Sequence, residues 1–186
     1  MKVALSIGHS PKEGGAVMSD GSKYSEYRFW QEKLPMLKEA LQALGHEAVI
    51  TNRSYAGGTS PSYAAKACNA TGADLAIEFH FNVAESCRAT GTETLYWHKS
   101  TNGKRAAELV NDAMCEALKL PCRGIKPVSS ASDRAASYFT RTTMPAILVE
   151  PAFAGSNVTD CDRLQERVAL LCKAIAHAVH TYAATI

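Results

Sequence analysis

Two histidines and two carboxylates stand where short apolar runs end or an amphipathic stretch begins. His9 follows Lys-Val-Ala-Leu-Ser-Ile (residues 2–7) and Gly8. His80 lies between Phe79 and Phe81 near the end of a run over residues 74–82, and Glu150 closes Ala-Ile-Leu-Val. Glu26 opens the first long helical pattern. Two histidines and one carboxylate are a recurring ligand set for catalytic zinc, with one position left for water. A further carboxylate that does not bind the metal can take that water's proton. Each residue also has an ordinary reading. A lone histidine at a strand end is commonly a hydrogen-bonded structural residue, and a glutamate in a first helical turn complements the helix dipole. Glu150 and His80 are harder to explain that way, since buried ionisable groups are costly without partners. Residue types and spacing leave both readings open.

The elements that must position these residues can be read from periodicity. Residues 2–7, 48–51, 74–82, 91–98 and 146–150 read as strands. From Ser25 to Leu44, Tyr27, Trp30, Leu34, Leu37, Leu41 and Leu44 recur at steps of three and four, and Gly45 suits the position after a helix. Pro35 is expected to kink or split that helix. Ser60-Pro61 opens a helix ending near Gly72, as N-cap and first helical residue. A third helix spans residues 104–118. A last one starts among residues 157–160 with the stripe Leu164, Val168, Leu171, Ile175, Val179 and Tyr182. Strands alternating with helices predict a single α/β domain over residues 1–186, with a largely parallel twisted central sheet flanked by helices and no second domain. In such sheets ligands bind beyond the carboxyl ends of the strands, which places His9, His80 and Glu150 on one rim.

Composition narrows the partners. The chain is 46% hydrophobic and 20% charged, with net charge +2, too mild a balance for nucleic-acid binding. No run approaches the roughly 18 apolar residues of a membrane span. The opening MKVALSIGHS falls short of a signal peptide, so synthesis in the cytoplasm is expected. The six cysteines form no C-x-x-C pair and are expected reduced, Cys115 with Cys122 being the only disulfide considered. The glycosylation tripeptides at Asn52, Asn69 and Asn157 read as chance, and His46, His98, His177 and His180 as surface or structural residues.

Read in order, several segments resemble the zinc-dependent N-acetylmuramoyl-L-alanine amidases of the amidase 3 type. They are Ser6-Ile7-Gly8-His9, Gly21 to Glu26, Thr51-Asn52-Arg53, NATGADLAIEFHFN (69–82), Gly91 to Tyr96, Arg123-Gly124-Ile125-Lys126, and Pro145 to Phe153 with Ser156-Asn157. The resemblance implies that His9, Glu26 and His80 ligate Zn2+ and that Glu150 is general base and then acid. The implied reaction is hydrolysis of the amide between N-acetylmuramic acid and L-alanine in peptidoglycan, with Asn82 orienting His80 or contacting substrate. With no signal peptide expected and no separate wall-binding domain, the chain looks like a compact phage endolysin, expected to be monomeric and released to the cell wall through a holin. The chain departs from the family pattern in three places. Ser10-Pro11 replaces a second glycine, Tyr24 lengthens the segment before Glu26, and Glu78 stands where a small residue is usual. Strand alternation puts Glu78, His80 and Asn82 on one face, which leaves Glu78 as a partner of His80, a substrate contact or a competing ligand. Glu13 and Glu32 are substitutes for Glu26. Residues 84–90 and 127–141 are expected to flank the groove. The competing functions are a zinc peptidase cutting another peptidoglycan amide and a non-catalytic wall-binding module of the same fold.

Overall fold

A computed structural model describes residues 1–133 and 135–186. Its strands are β1 (Lys2–Ile7), β2 (Glu47–Asn52), β3 (Leu75–Phe79), β4 (Thr92–Trp97), β5 (Cys122–Val128) and β6 (Ala146–Glu150). Its helices are α1 (Glu26–Ala43), α2 (Pro61–Asn69), α3 (Thr101–Leu118), α4 (Ala136–Arg141) and α5 (Val158–Ala183). The sheet order is β2-β1-β3-β6-β4-β5. β2, β1, β3 and β6 run parallel, β4 is antiparallel to β6, and β5 is parallel to β4. The expected largely parallel α/β sheet is therefore present.

Strand alternation sorts the side chains into two layers. Val3, Leu5, Ile7, Leu75, Ile77, Phe79, Ile147 and Val149 share one core with the apolar stripes of α1, α3 and α5. Ala4, Ala76, Ala146 and Leu148 share a second, smaller core with Ala64, Ala65 and Cys68 of α2 and Tyr138 and Phe139 of α4. All six residues expected along the stripe of α5 are buried. No helix among the described residues is long and apolar enough to cross a membrane.

Local signals account for most element ends. Ser25 caps α1 by accepting from Arg28 N at 3.3 Å, and Gly45 follows the helix at φ +80. Pro35 does not split α1: Trp30, Leu34, Leu37 and Leu41 are fully buried on both sides of it, so tertiary packing outweighs the lost backbone bond. α3 begins three residues earlier than expected because the Ser100 hydroxyl accepts from Gly103 N at 3.0 Å.

Two elements were not anticipated. β5 reads CRGIKPV, with a glycine, a proline and no alternation. As an edge strand paired, among the described residues, with β4 alone, it tolerates both. α4 is six residues long, with no side-chain cap. All six cysteines are free. Asn111 Nδ2 donates toward both Cys115 Sγ and Cys122 Sγ, at 3.6 and 3.2 Å, so the pair considered as a disulfide shares a hydrogen-bond donor instead.

Candidate active site

The carboxyl ends of β1, β3 and β6 meet at one edge of the sheet, and the chain leaving each carries a site residue. After β1, Gly8 N donates to Phe79 O at 3.0 Å, bringing the turn against the end of β3. A Cβ on Gly8 would lie 2.5 Å from His80 Cε1, so only glycine allows the approach. His9 then adopts φ +62, a left-handed conformation unusual for a side-chain-bearing residue. After β3, His80 N donates to Val149 O and Asn82 N to Ala152 O, at 3.0 and 2.8 Å, extending the alternating register past the strand. Trp30 Nε1 donates to His80 O at 3.0 Å, tying this segment to the α1 core.

Glu26 is the first residue of α1 and only 2% exposed. Its Oε1 accepts from Phe81 N at 3.0 Å and lies 2.6 Å from His80 Nδ1. Its Oε2 accepts from Ala16 N at 3.1 Å and lies 3.2 Å from His9 Nε2. One carboxylate thus divides its two oxygens between the two histidines. A Cβ on Gly15, at φ +78, would fall 2.5 Å from His9 Cδ2 and 2.8 Å from Glu26 Oε2, so that glycine completes a tight cradle.

Burial pushes the His80 imidazolium down, but the Glu26 carboxylate, with a further contribution from Glu78, outweighs it and raises the pKa to about 10. Burial likewise pushes Glu26 up, and His80 and His9 overcome it, holding Glu26 near 2.

The candidate ligand atoms of His9, Glu26 and His80 lie within 4.8 Å of one another. Zinc ligand atoms sit about 2.0–2.2 Å from the metal and hence within about 4.4 Å of each other, so modest side-chain shifts close the set. Two imidazoles and a carboxylate also suit zinc by donor type. The three residues therefore fit a zinc site.

A cavity of roughly 270 Å³ opens over them, lined by His9, Glu26, Arg53, His80 and Glu150 among others. Glu150 is buried and shares this cavity without belonging to the ligand cluster, the relation expected of a proton carrier rather than a ligand. Asn82 is held beside the site, its Nδ2 donating to Glu93 Oε1 at 2.8 Å. Glu78 lies beneath the cavity, fully buried, with Oε1 accepting from Arg53 Nε at 3.4 Å and Nη2 at 3.1 Å. It is outside the ligand cluster, so the competing-ligand reading is replaced by a buried pair with Arg53. Glu13 and Glu32 are exposed, Glu32 pairing with Arg28 at 3.3 Å, and neither substitutes for Glu26. Of the two segments expected to flank the groove, 127–141 contributes Ala135 to the cavity lining; position 134 lies outside the described residues. His46 and His180 contact each other at 3.0 Å, away from this cavity.

Residue-by-residue reasoning gave no role to Glu93 or Arg53. Because β4 runs antiparallel to β6, its beginning reaches the rim, and Glu93 lies opposite Glu150 in register. Arg123 Nε binds Glu93 Oε2 at 2.8 Å and stacks over Phe153 at 4.9 Å. This produces a line Arg123–Glu93–Asn82 along the rim. The signal available was the Gly-x-Glu segment itself, but strand direction was needed to interpret it.

A three-layer α/β domain thus holds two histidines and a carboxylate within 4.8 Å of one another, with a separate carboxylate lining the same cavity, a set that fits metal-assisted hydrolysis. The chain belongs to the N-acetylmuramoyl-L-alanine amidase family, Amidase_3, whose profile matches residues 3–181. It is 28% identical over 169 residues to N-acetylmuramoyl-L-alanine amidase LytC of Bacillus subtilis (strain 168), covering 89% of this chain and 32% of that protein. The chain thus spans about a third of that relative's length. The fold is shared with the catalytic domain of CwlV from Bacillus (Paenibacillus) polymyxa var. colistinus, at TM-score 0.81 and 23% identity over 100% of both chains. It is also shared with the catalytic domain of the CD27L endolysin targeting Clostridia difficile, at TM-score 0.75 and 24% identity over 96% of each chain.

Proposed function

We propose that this chain is a zinc-dependent amidase that hydrolyses the bond between N-acetylmuramic acid and the L-alanine of peptidoglycan stem peptides. The observation that carries the reading is the His9–Glu26–His80 cluster with Glu150 in the same cavity. Family membership supplies the substrate class. His9, Glu26 and His80 would hold the metal. When bound, zinc supplies Lewis acidity that lowers the pKa of water toward about 7 and polarises an amide carbonyl.

The chain's own residues account for the rest. Glu150 takes the proton of the attacking water on its carboxylate and passes it to the leaving alanine nitrogen as the C–N bond breaks. Glu26 is aimed by its two backbone donors, Ala16 N and Phe81 N, and kept ionised by His80 and His9. Asn82, fixed by Glu93, presents its amide at the rim where the sugar or the peptide is oriented. Arg53 lines the cavity, and its guanidinium is committed to Glu78 and to Thr59 O at 3.0 Å.

The wall-lytic setting of a phage endolysin is part of the proposal. Digestion of purified peptidoglycan with mass spectrometry of the soluble products tests the chemistry. Stem peptides with a free L-alanine amino group are expected. Cuts inside the peptide would make the protein a peptidase, and an undigested wall that retains the protein would make it a binding module.

A further inference from the structure

Glu78 is a carboxylate buried completely inside the domain, one step behind the ligand cluster. It shares the strand face of His80 and stands in register with Ser6 on β1 and Leu148 on β6. A carboxylate there is costly to desolvate, and Arg53 offsets that cost only on one oxygen: both guanidinium contacts fall on Oε1. Oε2 is buried with no hydrogen-bond partner among the described residues. The same holds for His80 Nε2, whose ring presents Nδ1 to Glu26 at 2.6 Å and Nε2 toward Glu78 Oε1 at 3.7 Å. The 3.7 Å separation is outside hydrogen-bond range. The two uncommitted atoms are nonetheless a donor and an acceptor on neighbouring side chains of one strand face, and the carboxylate's other oxygen, held by Arg53, already faces Nε2.

An imidazole that ligates through Nδ1 must carry its proton on Nε2, and an acceptor at Nε2 fixes that tautomer and the ring plane. We propose that Glu78 is a positioning residue for the metal centre. Anchored by Arg53, it accepts Nε2–H of His80 and so points the Nδ1 lone pair at the space shared with Glu26 and His9. This rests on the reading of His9, Glu26 and His80 as zinc ligands. It explains why an ionisable residue occupies a wholly buried position beneath the cavity, where a small neutral side chain would avoid the desolvation cost.

The test is the zinc dissociation constant, measured by competition with a chelating dye, together with the visible spectrum of the Co2+-loaded protein. Wild type is compared with Glu78→Gln and with the double variant Arg53→Met/Glu78→Leu, which removes both buried charges and keeps apolar volume. Circular dichroism establishes that each is folded. Both variants are expected to bind zinc about 10–100-fold more weakly, with the double variant at the upper end because it has no acceptor for Nε2–H, and with altered Co2+ bands. A purely structural ion pair predicts otherwise: the double variant would fold and bind zinc as wild type does, overturning the role of Glu78 alone. A wild type that takes up no zinc would overturn the ligand assignment as well, and the two failures are distinguishable.

Discussion

On one face of the sheet, Leu5, Ile7, Ile77, Phe79, Ile147 and Val149 meet three long helices, α1, α3 and α5, in a largely apolar layer. On the other, Ala4, Ala76, Ala146 and Leu148 meet the short helices α2 and α4, and the same strands turn polar toward their carboxyl ends. Ser6, Glu78, His80 and Glu150 stand there, one residue out of step with the apolar set. The thick layer supplies the core that a marginally stable domain requires. The thin layer leaves an uncovered corner where buried polar groups reach a cavity. Stability and chemistry are thus assigned to opposite faces of the same strands, with α1 joining them through Trp30 and Glu26.

The largest expected effect lies on the thin face. Glu150→Gln should lower turnover of peptidoglycan by about 10²–10⁴-fold, with zinc content and thermal midpoint close to wild type. A matched loss of folding would break the division between the faces.

Trp30→Ala probes the thick face and should cost about 3–5 kcal/mol in urea unfolding, since the indole is fully buried. Its loss also frees His80 O. Zinc affinity of the folded fraction should therefore weaken, which measures how strongly the two faces are coupled.

A pH titration of the zinc-depleted protein should sharpen the account next. Glu26, held near 2 against an ordinary 4.5, contributes stability above about pH 4.5 that is lost as pH falls through 2. His80, raised to about 10 from 6.5, contributes stability below about pH 6.5 that is lost as pH rises through 10. The thermal midpoint after chelation should thus be highest near pH 4.5–6.5 and decline on both sides. Zinc must displace the His80 proton, so its affinity should rise with pH. A flat profile would contradict the coupling of His80 to Glu26.

The smallest effect is expected outside both layers. Lys104→Ala removes an exposed contact to Glu108 at 3.9 Å and should change stability by no more than about 0.5 kcal/mol by chemical denaturation.

Much of this division was legible in the sequence. The apolar runs ending at His9, His80 and Glu150, the stripe of α1 and the stripe of α5 carry strong periodic signals, and each stands where periodicity placed it. Short or irregular elements were not legible. β5 mixes polar residues with Gly124 and Pro127 because an edge strand needs little burial. α4 is too brief for a period to show. Glu93 was hidden for a different reason: strand direction is a property of the whole sheet, and only the antiparallel placement of β4 brings that residue beside Glu150 and Asn82. Glu78 was visible as a departure from pattern, but its pairing with Arg53 depends on the turn after β2, which no local spacing encodes.

Mass spectrometry of purified peptidoglycan digested by the zinc-loaded protein, with Glu150→Gln alongside, tests the central claim most directly. Soluble stem peptides beginning with a free L-alanine are expected from the wild type and almost none from the variant. Products cut within the stem peptide, or equal release by Glu150→Gln, would contradict it.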